Sequence, residues 1–182
     1  MAEIVTLETE RLILRPWRKS DREPFAALNA DAETMRFFPA PLSRAQSDEL
    51  IDALAQRMAA EGWGFFALER KADGAFAGMT GLNRPRFEAH FTPCIEIGWR
   101  LPRAMWGQGY ASEAAKACLD FAFGTLGEKR ILAFTTVANL PSRRVMERIG
   151  MTRVEDGDFD HPNVAEGHPL RRHVLYEIAR TA

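Results

Sequence analysis

The chain has 182 residues, 46% of them hydrophobic and 27% charged, the composition of a folded globular protein without disordered or low-complexity tracts. Its 24 basic residues against 25 acidic ones leave a formal charge of −1, so there is no basic surplus to neutralise the phosphates of an obligate nucleic-acid partner. No apolar run approaches the roughly 20 residues that span a bilayer, and the acidic start Met1–Glu10 reads as neither a secretory nor a transit signal. Two cysteines, Cys94 and Cys118, do not make a disulfide framework. One cytoplasmic domain over residues 1–182 is expected, with neither nucleic acid nor membrane as partner.

Leu12–Leu14 reads as a short strand stopped at Pro16. Ser20, with Glu23 three positions on, predicts a capped helix carrying Phe25, Ala26 and Leu28 on one side. Met35–Pro41 reads as a loop. Ser43 caps a longer helix whose Leu50, Ile51, Leu54 and Met58 form one stripe, ended by Gly62–Gly64. A meander of three strands follows: Phe65–Glu69, the turn Asp73-Gly74, Ala75–Leu82, and Cys94–Leu101. Ala111–Phe123 is an amphipathic helix, Ile131–Val137 an apolar strand, Pro141–Ile149 a short helix ended by Gly150, and Val174–Ile178 a closing strand. Three meander strands ahead of one β-α-β unit predict a mixed, α+β architecture rather than an alternating doubly wound one.

Chemistry concentrates in Trp106-Gly-Gln-Gly-Tyr-Ala111, a glycine loop between a strand and a helix start. Unpaired N–H groups and a partial positive charge gather at a helix N-terminus, and glycines before it let the backbone close around phosphate oxygens. The loop is therefore a candidate pyrophosphate cradle. No P-loop motif occurs. The dinucleotide fingerprint nearly fits Gly107, Gly109 and Ser112, but the loop follows a meander, and Thr136-Val137-Ala138-Asn139 brings no acid for a ribose.

Together with Thr9–Pro16, Glu96–Leu101, Asn139–Ser142 and Glu147–Met151, the loop resembles the Q/R-x-x-G-x-G/A motif region of GCN5-related N-acetyltransferases (GNAT), most closely the RimJ/RimL-type branch. Trp106 departs from the Q/R position. The resemblance implies a mostly antiparallel sheet with a splayed parallel strand pair, flanked by helices. It implies acetyl-CoA as donor, no metal, and a primary amine as acceptor, either a protein N-terminal α-amine or a small molecule; the protein would be a monomer or homodimer. Main-chain groups of Trp99, Arg100 and Leu101 would pair with the acetyl group and pantetheine, with the Trp99 N–H as oxyanion donor. Backbone N–H groups of Trp106, Gly107, Gln108, Gly109, Tyr110 and Ala111 would hold the pyrophosphate, and Asn139 would contact the cofactor. Where many members place a Tyr acid this chain has Met146, so the RimL-like pattern assigns the acid to Ser142. Glu96, on the strand facing the cleft, is the candidate base. Phe37 and Phe38 are carried as acceptor-pocket candidates.

Plainer readings stand beside these. Glu96 can be an ordinary strand polar residue, and Ser142 can belong to a helix cap. Arg143 and Arg144 read as solvated surface, close enough to Asn139 for one to meet a phosphate. The run Asp156, Asp158, Asp160 fails as a calcium loop, and His161, His168 and His173 match no common zinc spacing, so this segment reads as a polar loop. Two other functions remain open: a non-catalytic acyl-CoA-binding module and a nicotinamide oxidoreductase.

Overall fold

The computed structural model describes residues 3–180. Its strands are β1 (Leu7–Glu8), β2 (Leu12–Arg15), β3 (Phe65–Arg70), β4 (Phe76–Asn83), β5 (Glu96–Arg100), β6 (Arg130–Thr136), β7 (Thr152–Arg153), β8 (Phe159–Asp160) and β9 (Arg172–Ala179); its helices are α1 (Arg22–Ala30), α2 (Arg44–Glu61), α3 (Tyr110–Gly124) and α4 (Leu140–Arg148). The strands lie in the order β1-β2-β3-β4-β5-β6-β9-β7, and β8 also pairs with β9. Every pairing is antiparallel except β5 with β6. The expected mixed architecture is the one observed. No helix among the described residues is long and apolar enough to cross a membrane.

Both sheet faces are covered. On one, Leu12, Leu14, Phe66, Leu68, Leu82, Ile97 and Ile131 pack with Ala114, Ala115, Cys118 and Leu119 of α3 and Met146 of α4. On the other, Phe25 of α1 and Ile51 and Leu54 of α2 bury Met79. Farther along that second face, Phe91 and Phe159 cover Leu132 and Leu175.

The Ser43 expectation holds: its hydroxyl accepts from the Gln46 N–H while the Gln46 side chain accepts from the Ser43 N–H, a reciprocal capping box. The Ser20 expectation does not. Ser20 sits inside a 3-10 turn, Lys19–Asp21, and α1 starts at Arg22. The Asp21 carboxylate takes the Arg18 N–H at 2.7 Å and is itself gripped by buried Arg15 at 2.8 Å. Asp21, held by the guanidinium, closes the 3-10 turn that contains Ser20, and among the described residues no helix N–H bonds to the Ser20 hydroxyl.

The 155–173 segment is also corrected. It contains β8, and Phe159 is buried in an aromatic layer with Phe87, Phe91 and Phe134. His161 and His173 lie 4.9 Å apart, ring centroid to centroid, against the same layer. Burial holds both imidazoles below their ordinary range, His161 at about 4, with the charge of His173 adding to the effect on His161. Asp158 and Asp160 pair instead with Arg153 and Arg172.

Candidate functional site

β5 and β6 run parallel but share a single register pair, Glu96 with Leu132, anchored by the Leu132 N–H on the Ile95 carbonyl at 3.0 Å. Beyond it, Ile97–Arg100 and Ala133–Thr136 have no pairing with each other, so the strands part toward their C-terminal ends. Main-chain groups of a strand alternate between its two edges. Because Ile95 faces β6, Ile97 and Trp99 do too, and Trp99 is the first residue past the contact whose N–H and C=O face the gap.

The gap opens toward the start of α3. Gly107 and Gly109 both take the left-handed conformation, with φ of 70° and 82°, and Gly109 is the N-cap of the helix. The 3-10 turn Arg103–Met105 precedes them, and the Trp106 indole N–H returns to the Leu101 carbonyl at 2.7 Å. The Gln108 side chain folds back onto the Ala104 carbonyl. Among the described residues, none of the N–H groups from Gly107 to Ser112 has a protein acceptor. Six consecutive free donors at a helix head make this loop a candidate anion cradle.

A support for this cradle was missed at the level of residue roles. Glu113, in the first turn of α3, accepts from the Thr9 hydroxyl at 2.6 Å and the Arg11 N–H at 2.9 Å, and pairs with the Arg11 guanidinium at 2.6 Å. Arg11 in turn lies over the Tyr110 ring at 4.5 Å. The β1–β2 turn is thereby tied to the helix head, and the acid's charge is matched before it can oppose an anion. Thr9 and Arg11 lie within the segment Thr9–Pro16, but nothing local to them signals a partner 104 or 102 positions away.

Across the gap, the Trp99 indole N–H donates to the Ser142 hydroxyl at 3.1 Å. Asn139 is the N-cap of α4: its carbonyl oxygen accepts from the Ser142 N–H at 3.3 Å, and its amide donates to Thr135 at 2.8 Å. The cap is therefore Asn139, and it positions Ser142. Having accepted from Trp99, the Ser142 hydroxyl keeps its own proton for donation. Met146 is buried on the inner face of α4. Arg143 is committed to the Tyr176 hydroxyl and the Val137 carbonyl.

On the opposite face of β5, Glu96, Gly98 and Arg100 alternate with the core residue Ile97. The Glu96 carboxylate accepts from the Asn83 amide at 2.7 Å. Burial raises its pKa to about 7, with the Asn83 bond working the other way. Such a carboxyl changes charge in the range where a general base is effective.

Phe38 lies under the Arg100 guanidinium at 4.2 Å, on the same side as Glu96. Phe37 is held by Arg36 at 4.7 Å, which also covers Trp106. The two phenylalanines therefore meet different parts of the site, Phe38 the β5 face and Phe37 the rim of the glycine loop. The side chain of Arg100, considered from sequence only for its main chain, is the feature of this face that the sequence reading left out.

A family model described as an acetyltransferase (GNAT) domain matches residues 11–152. The FsC-acetyl coenzyme A-N(2)-transacetylase of Aspergillus fumigatus is 33% identical over 190 residues, covering 96% of this chain and 76% of its own. The solved structure of an acetyltransferase (GNAT family) from Bacillus anthracis matches with a TM-score of 0.79 at 26% identity, over 96% of this chain and 98% of that one. Mycobacterium smegmatis RimJ in complex with CoA-disulfide shares the fold, with a TM-score of 0.75 at 22% identity over 96% and 87% of the two chains.

Proposed function

The chain belongs to the acetyltransferase (GNAT) domain family and is an acetyltransferase, and from that premise we propose that it moves an acetyl group from acetyl-CoA to a primary amine by direct attack in a ternary complex. The observation that carries this reading is the gap between β5 and β6, which leads from the Trp99 main chain to six free N–H groups at the head of α3. An elongated donor with a thioester at one end and a pyrophosphate at the other suits that shape, and the CoA-disulfide held by RimJ, a protein of the same fold, supports it. With the family established, the nicotinamide and binding-only readings fall away.

In this mechanism the N–H groups from Gly107 to Ser112 bind the pyrophosphate, and Asn139 keeps the first turn of α4 beside the thioester. Acetyl-CoA supplies the activated acyl carbon. The Trp99 N–H donates to the carbonyl oxygen as negative charge grows on it. Glu96 takes a proton from the amine, directly or through a water, and Ser142 gives a proton to the departing thiolate. A thiol of pKa near 8.5 leaves readily at neutral pH, so the Ser142 contribution is modest.

Calorimetric titration with acetyl-CoA, with NAD⁺ and NADH as controls, is the direct test. Micromolar acetyl-CoA affinity without nicotinamide binding supports the donor. Turnover is then sought with Ser- and Ala-starting peptides beside small amines, and absence of turnover with every amine rejects the acceptor class.

Two variants address the roles. Ser142→Ala is expected to lower kcat about tenfold while acetyl-CoA affinity stays within about twofold. Unchanged kcat with chemistry rate-limiting removes Ser142 from the proton path. For Glu96, kcat/KM in the native protein is expected to rise with pH through about 7 as the carboxyl ionises. Glu96→Gln should erase that limb and cost about 100-fold at neutral pH, the deficit shrinking toward pH 9 as the amine loses its proton unaided. An intact limb in the variant assigns it to another group.

A further inference from the structure

Given acetyl transfer to an amine at this site, we propose that the acceptor also carries a carboxylate and that the Arg100 side chain is the residue that binds it. The chain treats its two enclosed guanidiniums differently. Arg15 meets two carboxylates, Asp21 at 2.8 Å and Glu69 at 2.6 Å. Arg100 meets none within ion-pair distance among the described residues. Its protein partners are the Asn29 carbonyl oxygen, bonded to Nη1 at 2.6 Å, and the ring of Phe38. Asn29 is itself buried and fixed by Ser47 at 2.9 Å, so this neutral contact is a rigid one.

The remaining donors have a definite shape. Nε is sealed from water and has no hydrogen-bond partner, and Nη2 has none among the described residues either. Nη2 is not sealed, so an arriving carboxylate meets it first; the Nε–H runs parallel to one Nη2–H along the same edge and completes a side-on pair when the groups covering Nε give way. Burial lowers the pKa of Arg100 to about 10, which leaves it a cation at neutral pH. An enclosed cation with an orphaned donor is costly for the fold alone, and an arriving anion relieves both costs.

Position makes this anion part of the acceptor. Arg100 shares its strand face with Glu96, four residues away, or about 13 Å along the backbone. The cradle for the donor's pyrophosphate lies past the end of β5 and has its own backbone donors. An amine directed to Glu96 and a carboxylate gripped by Arg100 are thus two ends of one molecule, separated by several bonds. The carboxylate can belong to an amino acid whose reacting amine lies at the far end of its side chain or to an acidic side chain near the start of a peptide.

The test uses matched acceptors: ω-amino acids against their carboxamides, and Ser-Glu-starting against Ser-Gln-starting peptides, each assayed with the native protein, Arg100→Gln and Arg100→Lys. The two sets separate the small-molecule source from the peptide source. The expected result is at least a tenfold preference in kcat/KM for the carboxylate member of one set, lost in Arg100→Gln mainly through acceptor KM. Arg100→Lys should restore part of it, having charge without the fork. Saturation-transfer NMR on the same pairs reads binding without turnover. Turnover with equal preference in native and Arg100→Gln proteins, or a rise in acetyl-CoA KM alone, overturns the carboxylate site. Arg100-dependent, carboxylate-selective binding with no turnover of any amine overturns amine acetylation and keeps the site. Silence in both readouts overturns both.

Discussion

Gly109→Glu is expected to reduce acetyl-CoA affinity by at least about 100-fold, a loss of roughly 2.7 kcal/mol. Position 109 is the N-cap of α3 at φ 82°, so any side chain there bears left-handed strain of about 1 kcal/mol. A Cβ at this point comes 3.5 Å from the Arg11 guanidinium. A glutamate would therefore pair with Arg11 and place its own carboxylate among the free N–H groups, filling the cradle with the charge the ligand should bring. Calorimetry on a variant shown to be folded by its melt reads this directly. Gly109→Ala separates strain from occlusion and should lose only a few-fold. Full affinity in folded Gly109→Glu would mean that the pyrophosphate is held elsewhere.

The second large effect is on the fold. Gly81 stands opposite Phe65 in the β3–β4 pairing and opposite Gly98 in the β4–β5 pairing. A Cβ at 81 would overlap the Gly64 carbonyl oxygen, which already accepts the Leu82 N–H, and would lie 2.6 Å from Phe65 Cα. Both obstacles are backbone and cannot rotate away, so the strand must shift or the ladder must break. Gly81→Ala is expected to cost about 4 kcal/mol, a fall of roughly 10 °C in melting temperature. Acetyl transfer should fall with it, because β4 holds β5 and β5 carries Glu96, Trp99 and Arg100. A melt within about 2 °C of the native protein would show that the two strands separate at little cost.

Local chemistry was legible where one residue type answers one local need. The stripe on α2, the Ser43 box, the small apolar face of α3 and the glycines at 107 and 109 each follow from neighbours within a few positions. Ser20 misled because a hydroxyl at a helix start looks like a cap until the charge at Asp21 is known to be clamped by Arg15. The 155–173 segment, expected as a polar loop, misled for a similar reason. A single aromatic in an acidic run reads as surface, and only the approach of Phe87, Phe91 and Phe134 makes it core.

By itself the sequence determined the helices, the Ser43 cap, the meander, and a glycine loop feeding a helix head, because periodicity, capping and turn preference act over a few residues. Tertiary structure alone decided that β5 and β6 meet at one pair and then diverge, and that Trp99 reaches Ser142 across 43 positions. It also decided that Glu113 is neutralised from the β1–β2 turn and that Arg100 is enclosed without a carboxylate. These depend on distances between residues far apart in the chain. Burial sets the charge behaviour of Glu96 and Arg100, and burial is a property of the packed neighbours rather than of the residue.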